Sequence, residues 1–147
     1  MYKHLLVPID GSELSDHAVH SSLGLAAKLG ARITAFVAEP LPPLPNETTN
    51  AARYAHEAEE HRARTEAHAR EALARFAALA AEQGVPFQGE FKRTSMVDQA
   101  IVDAANSFGC DLVVMATHSR GAVGELVFGS HTKHVLALSK LPLLILH

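Results

Sequence analysis

The chain has 147 residues, 48% apolar and 20% charged, with one cysteine and a formal net charge of −3; this suits one domain over residues 1–147 with roughly two thirds of its unfolded surface buried. The slight acidic balance excludes a protein that neutralises a run of nucleic-acid phosphates, and a lone Cys110 excludes an internal disulfide, so a reducing cytoplasm is the expected compartment. No apolar run approaches the ~20 residues of a membrane span, and Pro8 and Asp10 interrupt the short N-terminal one, so neither membrane insertion nor a targeting segment is expected.

Residues 5–9, Leu-Leu-Val-Pro-Ile, read as a strand buried on both faces. Gly11 and Ser12 then supply a turn and a helix cap, and Leu14, Ala18, Leu25 and Leu29 recur at helical offsets until Gly30 stops the pattern. Residues 32–38 make the second strand. Four prolines within residues 39–45 remove ladder donors and predict a loop. Residues 50–83 hold no glycine or proline and are rich in Ala, Glu, Arg and His, which predicts one long helix ended by Gly84, its first half solvated.

A third strand is expected over residues 86–91, then a helix over 96–107 with Val97, Ala100, Ile101 and Ala104 inward, and a fourth strand over 111–117. A glycine-containing segment, 119–129, precedes a helix over 130–139, and residues 143–146 close the chain as a last strand. Strands that alternate with helices, most of them apolar throughout, imply a doubly wound α/β domain with a parallel sheet covered on both faces. Ligands of such sheets sit outside the carboxyl ends of the strands, which directs attention to Pro8, Ile9 and Asp10, to Val37, and to the residues after Met115.

Charge separates the two strand-to-helix turns that face this end. Around the first, Asp10, Glu13 and Asp16 already supply anions to the positive helix terminus, so Asp10 suits ribose hydroxyls or a base amino group better than a phosphate. Asp10 can equally cap its own turn. The second turn, Thr117-His118-Ser119-Arg120-Gly121-Ala122-Val123-Gly124, carries glycines, hydroxyls and Arg120 and no acid until Glu125. Gly129-Ser130-His131-Thr132 then opens a helix, so unpaired amides, two hydroxyls and the helix dipole converge on an anion, a triphosphate being the natural guest. Gly129 permits close backbone approach, and Ser130 reads alternatively as an N-cap.

These residues resemble the universal stress proteins of the UspA superfamily over essentially the whole chain. The matching pieces are Leu6-Val7-Pro8-Ile9-Asp10-Gly11-Ser12, Phe36-Val37, the run from Asp111 to Gly121, Gly129-Ser130 and Leu141-Pro142-Leu143-Leu144-Ile145. The resemblance implies a five-stranded Rossmann-like sheet in the order 3-2-1-4-5, of the adenine-nucleotide α-hydrolase-like type, a homodimer through the last strand and, in one branch, ATP binding. That branch carries Gly-x2-Gly-x9-Gly-Ser/Thr, which falls here on Ala116, Ser119, Gly129 and Ser130, with the first two glycines replaced. By similarity Asp10 meets the ribose, Val37 pairs with adenine through its backbone, and Ser119, Gly129, Ser130, His131 and Thr132 hold phosphates.

Ten histidines invite a metal reading, but His131 with His134, and His17 with His20, bring no carboxylate or thiolate at ligand spacing, so no dedicated metal site is expected. A hydrated Mg²⁺ bridging bound phosphates needs few protein ligands and stays compatible. His118 or His131 as a base beside a γ-phosphate allows at most slow ATP hydrolysis, so the chain reads as a binder of ATP, ADP or AMP in stress response, not as an enzyme. The alternative is a nucleotide-independent, partner-binding dimer of the same fold.

Overall fold

The computed structural model describes residues 1–117 and 129–147. The elements run β1 (His4–Pro8), α1 (Glu13–Leu29), β2 (Arg32–Glu39), α2 (Ala51–Glu82), β3 (Phe87–Arg93), α3 (Val97–Ser107), β4 (Leu112–Ala116), α4 (Ser130–Leu138) and β5 (Leu143–Leu146). All five strands are parallel, in the order β3-β2-β1-β4-β5.

The apolar run of β1 is explained by its central place, with Leu5 paired to Ile33 on one side and to Leu112 on the other. Side chains alternate across the sheet. Leu5, Val7 and Ile9 join Leu23 and Phe76 in the core beneath α1 and α2, whereas Leu6 joins Phe36, Ile101, Val113 and Val135 beneath α3 and α4. The winding direction reverses beside β1, so the carboxyl ends of β1 and β4 diverge into helices on opposite faces and leave a crevice between them.

Local chemistry sets the element ends. Ser12 caps α1 by accepting from the Ser15 amide, and Gly30 closes it at φ 62° with its N–H on the carbonyl of Ala26. Asn50 caps α2 by accepting from the Arg53 amide at 3.1 Å. The expectation that the first half of α2 is solvated needs a correction at Ala58, which is buried. The proline-rich loop lies against this half, with His61 Nε2 3.4 Å from the carbonyl of Pro40 and Pro42 itself buried. The third strand departs from the apolar pattern because it is an edge: Gln88, Gly89 and Lys92 are exposed, and pairing to β2 extends it to Arg93.

Among the described residues no helix is long and apolar enough to cross a membrane.

Candidate functional site

The first wall of the crevice forms where β1 ends. Ile9 donates its amide to the carbonyl of Phe36 at 2.9 Å, the last rung before the chain turns away. Gly11 makes that turn at φ 80°, a left-handed conformation that favours glycine. Asp10 Oδ1 accepts from the Ser12 amide at 2.9 Å and from the Ser15 hydroxyl at 2.6 Å, and Ser15 Oγ in turn accepts from the Asp10 amide. Burial opposes charge on this carboxyl, but the hydrogen bonds from Ser12 and Ser15 outweigh it and hold the group below its ordinary value. Oδ1 is thus committed to the loop, while Oδ2 has no partner among the described residues.

The opposite wall is the start of α4. Thr117, just past β4, is buried; its amide donates to the carbonyl of Leu146, and its Oγ1 accepts from the amide of Gly129 at 3.1 Å. A Cβ on residue 129 would lie 3.4 Å from that same hydroxyl, about van der Waals contact, so the two segments run close together here. Gly129, not Ser130, occupies the N-cap, because Thr117 anchors its amide and Ser130 already has helical geometry. No side chain among the described residues caps this helix, and its first turn holds no acid. The amides of Ser130, His131 and Thr132 therefore begin the helix without intrahelical partners.

Between the two walls lies a cavity of about 480 Å³, within the range of small-molecule sites. Pro8, Ile9 and Asp10 line it from β1, Met115, Ala116 and Thr117 from β4, and Gly129, Ser130, His131 and Thr132 from α4. Thirteen residues after Ala116, the chain thus returns to the same hollow. Ala116 has a negative φ, so its methyl group imposes no backbone strain where the glycine motif has its first departure. Val37 is different: its side chain alternates into the core beneath α1 and α2, and Phe36 and Ala38 are the β2 residues that line the cavity. His118, Ser119, Arg120 and Gly121 lie outside the described residues.

Sequence reasoning missed Asp98. From the start of α3 it reaches both histidines of α4, with His131 Nδ1 2.6 Å from Oδ1 and His134 Nδ1 2.9 Å from Oδ2. The separations of 33 and 36 residues leave no spacing signal, and only the packing of α3 against α4 creates the contact. It is a hydrogen-bonded cluster: among the described residues no group of three or more His, Cys, Asp or Glu side chains is placed to hold a metal ion.

Fold and cavity together define a doubly wound α/β protein with a pocket at the switch point between β1 and β4. The chain belongs to the universal stress protein family, whose family model matches residues 1–147. It is 32% identical over 147 residues, 99% of this chain and 98% of the other, to a Thermus aquaticus protein named as the universal stress protein in the QAH/OAS sulfhydrylase 3′ region. Among solved structures it is similar in fold to a universal stress protein in complex with cAMP (TM-score 0.68, 22% identity, 99% of this chain and 97% of that one). It is also similar to the Archaeoglobus fulgidus universal stress protein in complex with dAMP (TM-score 0.67, 16% identity, 99% and 98%).

Proposed function

We propose that this domain is a regulatory binder of an adenine nucleotide, with ATP as the preferred ligand and ADP or AMP as alternatives, acting in stress response by binding rather than by turnover. The observation that carries this reading is the uncapped start of α4, opening with Gly129 onto a cavity whose far wall is Asp10. Each part has a use. The amides of Ser130, His131 and Thr132, with the helix dipole behind them, suit phosphate oxygens. Oδ2 of Asp10 suits a ribose hydroxyl. The apolar surface of Ile9, Phe36, Ile101 and Met115 suits the flat adenine ring.

Nucleotide complexes of two family members similar in fold support the reading. His118, Ser119, Arg120 and Gly121, on the segment between Thr117 and Gly129, complete the proposed phosphate contacts, and Val37 contributes through its backbone. A hydrated Mg²⁺ bridging the phosphates fits the same arrangement, since such an ion keeps most of its waters. The proposed setting is the cytoplasm, as a homodimer through β5.

Mass spectrometry of small molecules released from natively purified protein, followed by calorimetric titration with ATP and AMP, tests the proposal. Co-purified adenine nucleotide, or saturable binding of either, supports it. Protein that emerges empty and ignores both nucleotides overturns it in favour of the partner-binding dimer, a reading that the replaced glycines at positions 116 and 119 favour.

A further inference from the structure

The cavity has an unusual charge balance. Asp10 lines it, no lysine or arginine does among the described residues, and His131 is the one lining side chain there that can become cationic. Its ring is not free to turn. Asp98, with only 17% of its side chain exposed, accepts from Nδ1 of His131, and its second oxygen accepts from Nδ1 of His134. A carboxylate only accepts, so both rings must carry a proton on Nδ1. Nε2 of His131, on the opposite side of the ring, has no partner among the described residues.

We infer that the His131 imidazole, held in place by Asp98, is a side-chain ligand for the phosphates beyond the first and so sets a preference for ATP over AMP at this site. The inference rests on the nucleotide reading above. A phosphate oxygen accepts only from a donor, so Nε2 must carry a proton when it meets one, and the ring is then an imidazolium between two anions, Asp98 and the nucleotide. Polyphosphate and proton bind together. Among the described residues, the titratable groups facing the ring are Asp98 on α3 and His134 on α4, with Asp10 after β1 across the cavity; the β4 residues lining the cavity, Met115, Ala116 and Thr117, have none. Asp98 is thus a positioning residue and His131 the binding one.

Calorimetric titration of ATP and of AMP into the wild type, His131→Gln, Asp98→Asn and the double variant, at about pH 6 and about pH 8.5, tests this. His131 is largely exposed, so the glutamine variant keeps the fold. Expected for His131→Gln is a roughly tenfold loss of ATP affinity near pH 6 with AMP affinity unchanged within about twofold. The ATP preference of the wild type should weaken towards the higher pH more than that of the variant, which removes the titration of ATP itself from the comparison. Asp98→Asn should act in the same direction, and the double variant should lose little more than His131→Gln, because the two residues act as one unit.

If the wild type binds both nucleotides and His131→Gln weakens both equally or neither, this inference is wrong while the nucleotide reading stands. A wild type that binds neither nucleotide removes the nucleotide reading itself.

Discussion

His68 of α2 donates from Nε2 to the backbone carbonyl of Asp10 at 2.7 Å, although 58 residues separate them. The donor assignment follows because a carbonyl can only accept. Through this bond α2 satisfies the loop that leaves β1 and fixes the height of Asp10 at the cavity wall. The ring also sits where a side chain on residue 11 would go: a Cβ there would lie 2.9 Å from His68 Nε2.

Gly11 is therefore required twice, by its φ of 80° and by this close approach. Gly11→Ala should lower stability by about 1–3 kcal/mol in urea denaturation. In that background, His68→Ala should cost less than it does in the wild type, because it removes the clash. Strict additivity of the two substitutions would show that the ring does not press on this position.

Asp10→Asn separates the loop from the ligand. The carboxyl is held below its ordinary value by Ser12 and Ser15 against the opposing effect of burial, so the folded state binds its proton less readily than the unfolded chain. The stability this gives is fully present above the unfolded value near pH 4 and is lost as pH falls through the folded value. The wild type should accordingly lose stability on acidification below about pH 4 more steeply than Asp10→Asn does, as read by thermal melts across that range. At neutral pH the same variant should weaken adenine-nucleotide binding roughly tenfold by turning an acceptor for the ribose into a mixed donor and acceptor. Unchanged affinity would confine Asp10 to its loop.

His4 gives a pH dependence at the other end of the sheet. It is buried, its Nε2 lies 2.7 Å from Thr34 Oγ1, and its Nδ1 has no partner within hydrogen-bond geometry among the described residues. Burial pushes its pKa down, and Arg32 adds to this, against a smaller opposing pull from Asp111 and the carbonyls of Gly109 and Phe108. The folded protein thus keeps the ring neutral where the unfolded chain protonates it. That contribution is whole above the unfolded value of about 6.5 and is lost as pH falls below it. Urea denaturation at about pH 7.5 and about pH 5.5 should show a loss of stability on acidification that shrinks in His4→Gln. An equal loss in both proteins would mean that other groups carry the effect.

Much of this architecture is legible in the sequence because each strand and helix announces itself locally: continuous apolar runs at β1 and β4, a helical repeat closed by Gly30, and an uninterrupted polar helix before Gly84. The strand order came from family resemblance and agrees with the pairing observed. What stayed hidden are relations made only by packing. Asp98 meets His131 and His134, and His68 meets Asp10, across separations that no periodicity encodes. Val37 marks the strand end from the sequence, and alternation across the sheet turns its side chain into the core, so the β2 side chains at the cavity are those of its neighbours Phe36 and Ala38. The N-cap of α4 lies one residue earlier than its hydroxyl suggested, because a buried threonine twelve residues upstream holds the amide of Gly129.

The last prediction concerns the sheet edge. β5 pairs with β4 on one side and ends the sheet on the other, and its side chains are only partly covered. Leu144 is 37% exposed, and Leu136 and Leu138 of α4 are 57% and 47% exposed. Apolar residues on an open edge invite pairing with another strand, and a second copy of the same chain meets the need with one two-fold axis and no foreign partner. Sedimentation velocity at micromolar concentration should therefore find a dimer. Leu144→Glu puts a charge at the centre of that contact while leaving the interior of the domain untouched, and it should weaken self-association by more than about tenfold with little change in thermal stability of the monomer. A wild type that sediments as a monomer at tens of micromolar would show that the edge stays open, and a variant that still dimerises would move the interface elsewhere.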